Sequence, residues 1–140
     1  MKKIVFVCLG NICRSPMAEF VMKSLTDQLK IESRATSSWE HGNPIHRGTQ
    51  AIFKKYAISY DRNKTSQQIS AADFADFDYI IGMDESNVRD LKRMAPEDFQ
   101  HKIYQFEEES VPDPWYTGDF DQTYDLVLAG CKKWLEHLDG

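Results

Sequence analysis

The sequence predicts an α/β fold, a single three-layer domain over residues 1–140 in which a four-stranded parallel sheet carries helices on both faces. Three observations predict it. Four short apolar runs alternate with stretches of helical periodicity, the pattern of parallel strands joined by crossover helices. A chain of 140 residues is about one domain, able to bury roughly two-thirds of its unfolded surface without disulfides. The first run, Ile4-Val5-Phe6-Val7, passes through a short loop with a Cys-x5-Arg spacing into a helix-start signal at Ser15-Pro16.

Taken in chain order, Lys3–Val7 reads as the first strand. A helix over Pro16–Leu29 follows, with Ser15 as its N-cap and Pro16 at the first position, where a missing N–H costs nothing and φ is already set. Met17, Phe20, Val21, Leu25 and Leu29 recur at helical spacing and give this helix a face for the sheet. Glu32–Ser37 is the second strand and Arg47–Tyr56 the second helix, with a shorter helical piece around Ala71–Phe77. Tyr79–Met83 is the third strand; Asp84 then caps a helix over Glu85–Ala95, with Asn87 three residues on. Lys102–Gln105 is the fourth strand. The last helix, Tyr124–Leu138, puts Val127, Cys131, Trp134 and Leu138 on one face, which makes Cys131 a core residue. There is no internal repeat and no low-complexity run.

The bulk properties exclude several classes. A formal net charge of −5 argues against nucleic acid as a partner. Cys8, Cys13 and Cys131 are odd in number and lack zinc-ligand spacing, and the four histidines form no metal set and no nucleophile pair, so neither a metal nor an organic cofactor is expected. The N-terminal apolar run is too short for a signal peptide or membrane span, which points to a cytoplasmic protein with no membrane partner.

The chemistry is concentrated in Cys8-Leu9-Gly10-Asn11-Ile12-Cys13-Arg14-Ser15-Pro16. A loop between a buried strand and a helix N-terminus gathers backbone N–H groups around one point, and anions collect there. Thiols near a helix N-terminus and a guanidinium ionise readily, and the thiolate is the nucleophile. Arg14 offers a planar fork that matches two phosphate oxygens and favours the transition state over the ground state. Asn11 suits a left-handed backbone and can brace the loop, and Ser15 can donate to the Cys8 sulfur. A nucleotide-binding loop of the G-x-x-x-x-G-K-[ST] kind needs two glycines and a lysine that are absent here.

These residues resemble the signature loop of the low-molecular-weight protein tyrosine phosphatases. The likeness extends to Trp39 with Gly42, to Asp78–Asn87 and to Asp113-Pro114-Trp115-Tyr116, covering nearly the whole chain. It implies hydrolysis of phosphotyrosine and aryl phosphates through a phosphocysteine, with Cys8 the nucleophile, Arg14 the oxyanion clamp and Asp113 the general acid and later base. Prolines on both sides of Asp113 stiffen its loop. Trp115, Tyr116 and Trp39 correspond to the cleft walls, with Leu9 and Ile12 as the apolar lip; Trp115 departs from the family's commoner tyrosine. A slot so lined should prefer phosphotyrosine to phosphoserine. Cys13, inside the same loop, is the expected redox-protective partner of Cys8. The family often supports the loop serine with a histidine from a segment resembling Asn63–Gln68; none occurs there, and Lys64 or a neighbour stands in its place.

Two rivals are weaker. An arsenate reductase of the same fold needs two further cysteines on a mobile segment, and residues 39–130 contain none. A non-catalytic phosphotyrosine-binding regulator would not need Cys8, Arg14 and Asp113 together. The expected partners are phosphotyrosine-containing proteins or peptides, with weak self-association left open. Glu107-Glu108-Glu109 reads as a solvated face, Asp119 and Asp121 as loop charges.

Overall fold

A computed structural model describes residues 1–139. Its elements are β1 (Lys3–Cys8), α1 (Arg14–Leu25), β2 (Lys30–Ala35), α2 (Arg47–Lys55), α3 (Ala71–Asp76), β3 (Tyr79–Gly82), α4 (Glu85–Met94), β4 (Ile103–Gln105), α5 (Pro114–Thr117) and α6 (Phe120–Asp139), with a 3-10 turn at Glu97–Lys102. The sheet is parallel throughout, in the order β2-β1-β3-β4. Cys8 lies opposite Ala35 and Val7 opposite Gly82, so three strand ends converge at one edge.

β1 is a continuous apolar run because it is central and covered twice. Alternation along it divides the interior into two cores. Ile4, Phe6 and Cys8 face Met17, Val21, Phe53 and the α6 residues Val127, Cys131 and Trp134. Val5 and Val7 face Phe74, Phe77, Ile80 and Leu91. Cys131 is thus a core residue, as its helical spacing predicts.

The first helix differs from expectation at both ends. It begins at Arg14, two residues early, and its N-cap is Cys13, with no side-chain cap. Ser15 is therefore not the cap; its hydroxyl lies beside the Cys8 sulfur instead. Pro16 still falls in the first turn, where its missing N–H is harmless. At the far end Thr26 is extended and its hydroxyl accepts the Gln28 N–H, so α1 stops at Leu25, which is 39% exposed, and Leu29 reaches the core from the turn beyond. α1 is buried all round as far as Met22 because it lies between the sheet and α6.

Asp84 does cap α4, in a reciprocal box with Asn87, and Ser70 with Asp73 repeats the device at α3. In open α/β sheets ligands bind beyond the carboxyl ends of strands, where the strand order reverses. In this sheet that edge collects the loops after β1, β3 and β4.

Candidate active site

The loop after β1 wraps around the Cys8 sulfur. The Asn11 N–H donates to Sγ at 3.3 Å, and Ser15 Oγ lies 3.1 Å from it. Asn11 holds φ at +55°, as its residue type allows, and its side chain is fully used. Its Nδ2 donates to Ser15 Oγ at 2.7 Å and to Ser33 Oγ at 3.0 Å, while its Oδ1 accepts the Gln67 N–H at 3.2 Å. Asn11 occupies a lone pair of Ser15, whose hydroxyl hydrogen can then point at the Cys8 sulfur or at the Arg34 carbonyl, 3.4 Å away.

Behind Asn11 lies a buried polar chain that the sequence does not announce. Ser33 Oγ donates to Glu19 Oε1 at 2.6 Å, and Glu19 is 3% exposed. Lys64 answers that charge, with Nζ 3.3 Å from Glu19 Oε1 and 2.9 Å from the Ser33 carbonyl. Burial lowers the Lys64 pKa, with Arg34 adding to that and Glu19 opposing it. Lys64 is thus a cation linked to Ser15 through Glu19, Ser33 and Asn11. Ser66 Oγ ties the rim of the loop by donating to the Gly10 carbonyl at 2.7 Å.

Arg14 is 2% exposed and its guanidinium is oriented from the opposite strands. Nη1 donates to Asp84 Oδ2 at 2.6 Å and to the Val111 carbonyl at 3.0 Å; Nη2 makes a longer contact of 3.4 Å with Asp113 Oδ2. Nε has no protein partner among the described residues. Burial works against the charged form of Arg14, but the charges of Cys8, Asp84 and Asp113 outweigh it and raise the pKa further. Asp84 thus has a second role beside its cap. Burial pushes its carboxyl up, yet Arg14, the Asn87 amide and the Ser86 hydroxyl hold it below the usual range.

Asp113 caps α5 by accepting the Trp115 N–H on Oδ1 at 3.0 Å, which leaves Oδ2 toward Arg14. Asp113 is therefore a helix cap and a neighbour of Arg14 at once. A cleft of about 140 Å³ is lined by Cys8 through Arg14, with Asp113, Trp115, Tyr116 and Trp39. Trp39 and Tyr116 are each 78% exposed and stand at its mouth. Ser37 and Glu40 also line it, two residues that sequence reasoning missed. Ser37 Oγ donates to the Leu9 carbonyl at 2.8 Å, and the Glu40 side chain packs over Gly10.

Cys13 is buried at the base of α1, and burial first, then the charges of Cys8 and Asp113, push its thiol pKa upward. All three cysteines are free thiols. His46, which carries no catalytic assignment, proves to be a structural junction. Its N–H donates to the Ile12 carbonyl at 2.8 Å, Nδ1 accepts the Gly48 N–H at 2.9 Å, and the ring stacks on Phe120 and meets Trp115 edge-on. Asp119 accepts the Gln122 N–H and caps α6, and Asp121 pairs with Lys55, so neither is a bare loop charge. Glu107 pairs with Lys133 away from the cleft.

Known proteins share the sequence pattern and fold of this chain. The family model for low molecular weight phosphotyrosine protein phosphatase matches residues 3–140. The chain is 44% identical to the low molecular weight protein-tyrosine-phosphatase PtpA of Staphylococcus aureus, over 99% of this chain and 94% of that one. Among solved structures, SP-PTP, a low molecular weight protein tyrosine phosphatase from Streptococcus pyogenes, superposes with a TM-score of 0.97 at 63% identity, covering 99% of this chain and 93% of its own. YfkJ from Bacillus subtilis superposes with a TM-score of 0.91 at 39% identity, covering 99% and 95%.

Proposed function

The chain belongs to the low-molecular-weight phosphotyrosine protein phosphatase family and is an enzyme of that class; on this basis we propose how its residues divide the reaction. The thiolate of Cys8 attacks phosphorus in line with the tyrosyl oxygen, forming the S–P bond as the P–O bond breaks. Asp113 gives its proton to the departing phenolate, since an unprotonated phenolate leaves poorly. Arg14 and the amides of residues 9–15 hold the equatorial oxygens. Asp113, now ionised, takes a proton from water, whose oxygen attacks phosphorus; the S–P bond breaks, phosphate departs and Cys8 is again a thiolate.

The observation that carries this reading is the division of labour at Arg14. Nη1 is committed to Asp84 and Val111 and Nη2 faces Asp113, whereas the buried Nε has no protein acceptor among the described residues. A buried donor without a partner costs about 1–3 kcal/mol, and a phosphate oxygen in the loop supplies the acceptor. The aromatic walls at Trp39, Trp115 and Tyr116 favour a phosphorylated ring over phosphoserine, whose short side chain cannot carry its phosphate down to Cys8.

We assign the whole of residues 1–140 to one catalytic domain acting on phosphotyrosine proteins in the reducing cytosol. No described helix is long and apolar enough to cross a membrane. Every role in the cycle falls to a side chain or an amide, so the rate should not depend on a metal. The deciding assay is hydrolysis of an aryl phosphate near pH 5–6 with chelator present, alongside Cys8→Ser. Turnover in the wild type and none in the variant is expected; a chelator-sensitive rate, or turnover by Cys8→Ser, would reject the scheme.

A further inference from the structure

A second concave surface runs along α2, beyond His46. It is an open groove of about 790 Å³ with a floor of Phe53 and Ile58. Its sides carry Arg47, Lys54 and Arg62, and none of these cations has a carboxylate within 4 Å among the described residues. Asp61, next to Arg62, accepts the Asn63 N–H within its own turn. The neighbouring Lys55 points elsewhere, to Asp121.

The placement is regular. Arg47 and Lys54 are seven residues apart, two helical turns, so they share one face at about 10 Å separation with Gln50 and Ala51 between them. An extended peptide covers that distance in about three residues. Three unpaired cations on one groove stand out on a chain of net charge −5, since the mean field of the molecule repels acidic partners and only a local patch can attract them. The groove also adjoins the cleft. His46, which packs against Trp115 and binds the Ile12 carbonyl, is followed directly by Arg47.

We infer that this groove binds acidic residues flanking the phosphotyrosine of a protein substrate, an assignment that rests on the phosphatase reading above. Charge complementarity selects the occupant, and the apolar floor accepts the stems and an intervening apolar residue of an extended segment. Small aryl phosphates fill only the cleft and do not reach α2.

The test compares p-nitrophenyl phosphate with two phosphotyrosine peptides, one carrying three acidic residues on either flank and one with their amides, in the wild type and in the triple variant Arg47→Glu, Lys54→Glu, Arg62→Glu. The wild type should favour the acidic peptide by about tenfold in kcat/KM, through KM, with the advantage shrinking in salt. The variant should keep its rate on p-nitrophenyl phosphate, lose the preference, and favour a lysine-flanked peptide instead. An acidic preference that survives charge reversal would overturn the inference, as would none in the wild type. Competition by a single-stranded oligonucleotide as strong as that of the acidic peptide would overturn the assignment to protein substrates. Absent turnover of p-nitrophenyl phosphate by the wild type would count against the catalytic scheme alone; peptide affinities for the Cys8→Ser protein would then decide the groove.

Discussion

At Asp113 one carboxylate caps a helix and faces Arg14, and the proposed cycle asks it to move a proton as well. Oδ1 is fixed by the Trp115 N–H, so the side chain cannot swing away, and Oδ2 is left for proton transfer beside Arg14. Asp113→Ala should therefore lower kcat by about 10²–10⁴ on phosphotyrosine, whose leaving oxygen needs the proton, and far less on p-nitrophenyl phosphate, whose leaving group is already stable. Equal losses on both, measured by steady-state kinetics, would remove Asp113 from the acid role. Cys13 makes a different prediction. Peroxide turns Cys8 into a sulfenic acid; attack by the Cys13 sulfur forms the disulfide and releases water, which shields Cys8 from further oxidation. Because burial raises the Cys13 pKa, its thiolate is scarce at neutral pH and the disulfide should form faster as pH rises. Activity lost to peroxide and regained with a dithiol is expected in the wild type, more completely at higher pH, whereas Cys13→Ser should stay inactive; full recovery in the variant would show that Cys13 protects nothing.

The elements show which parts of the molecule local sequence specifies. Strand β1 is legible because this central parallel strand is apolar from Ile4 to Cys8, and the α3 and α4 starts lie where Ser70 and Asp84 predict or permit a cap. Helix α1 departs from its sequence pattern at the start because Ser15-Pro16 has the form of a cap and first turn, while the backbone enters the helix two residues earlier to put the hydroxyl of Ser15 at the Cys8 sulfur. Function overrides propensity there. The residues that surround the Cys8 sulfur stand together in the sequence, since one short segment contains most of them. The partners that orient them are not: Asp84 lies 70 residues from Arg14, and Lys64 is linked to the loop through the buried Glu19 and Ser33. Such contacts depend on strand order, which periodicity does not carry. The His46 junction is similar. Gly48 is glycine because a Cβ there would stand 2.3 Å from the Phe120 ring, and that ring stacks on His46, whose edge supports Trp115. A cleft wall is thus held by close packing between α2 and α6, and nothing in the pattern of either helix alone reveals it.

For the whole molecule, the Arg14–Asp84 pair joins the loop after β1 to the end of β3, so its energy is a property of global stability as well as of the site. Arg14 is almost fully buried, and removing the charge of its best partner leaves a guanidinium in a low dielectric with one weaker carboxylate at 3.4 Å. Asp84→Asn should cost about 3 kcal/mol near neutral pH, the scale of a broken buried pair. The pH dependence follows from the depressed Asp84 pKa. Between the folded value and the ordinary carboxylate value of about 3.9, the unfolded chain takes up a proton that the native carboxylate refuses, so acid pulls the equilibrium toward unfolding. The stabilisation from this group is complete above about pH 5 and fades as pH falls through the native pKa. The amide of the Asp84→Asn variant has no such proton to take up. Urea unfolding of both proteins from pH 7 downward should therefore show a gap that is constant to about pH 5 and narrows below pH 4; a gap that stays constant into strong acid would mean that the lost hydrogen-bond geometry of the cap, and not the charge facing Arg14, accounts for the difference.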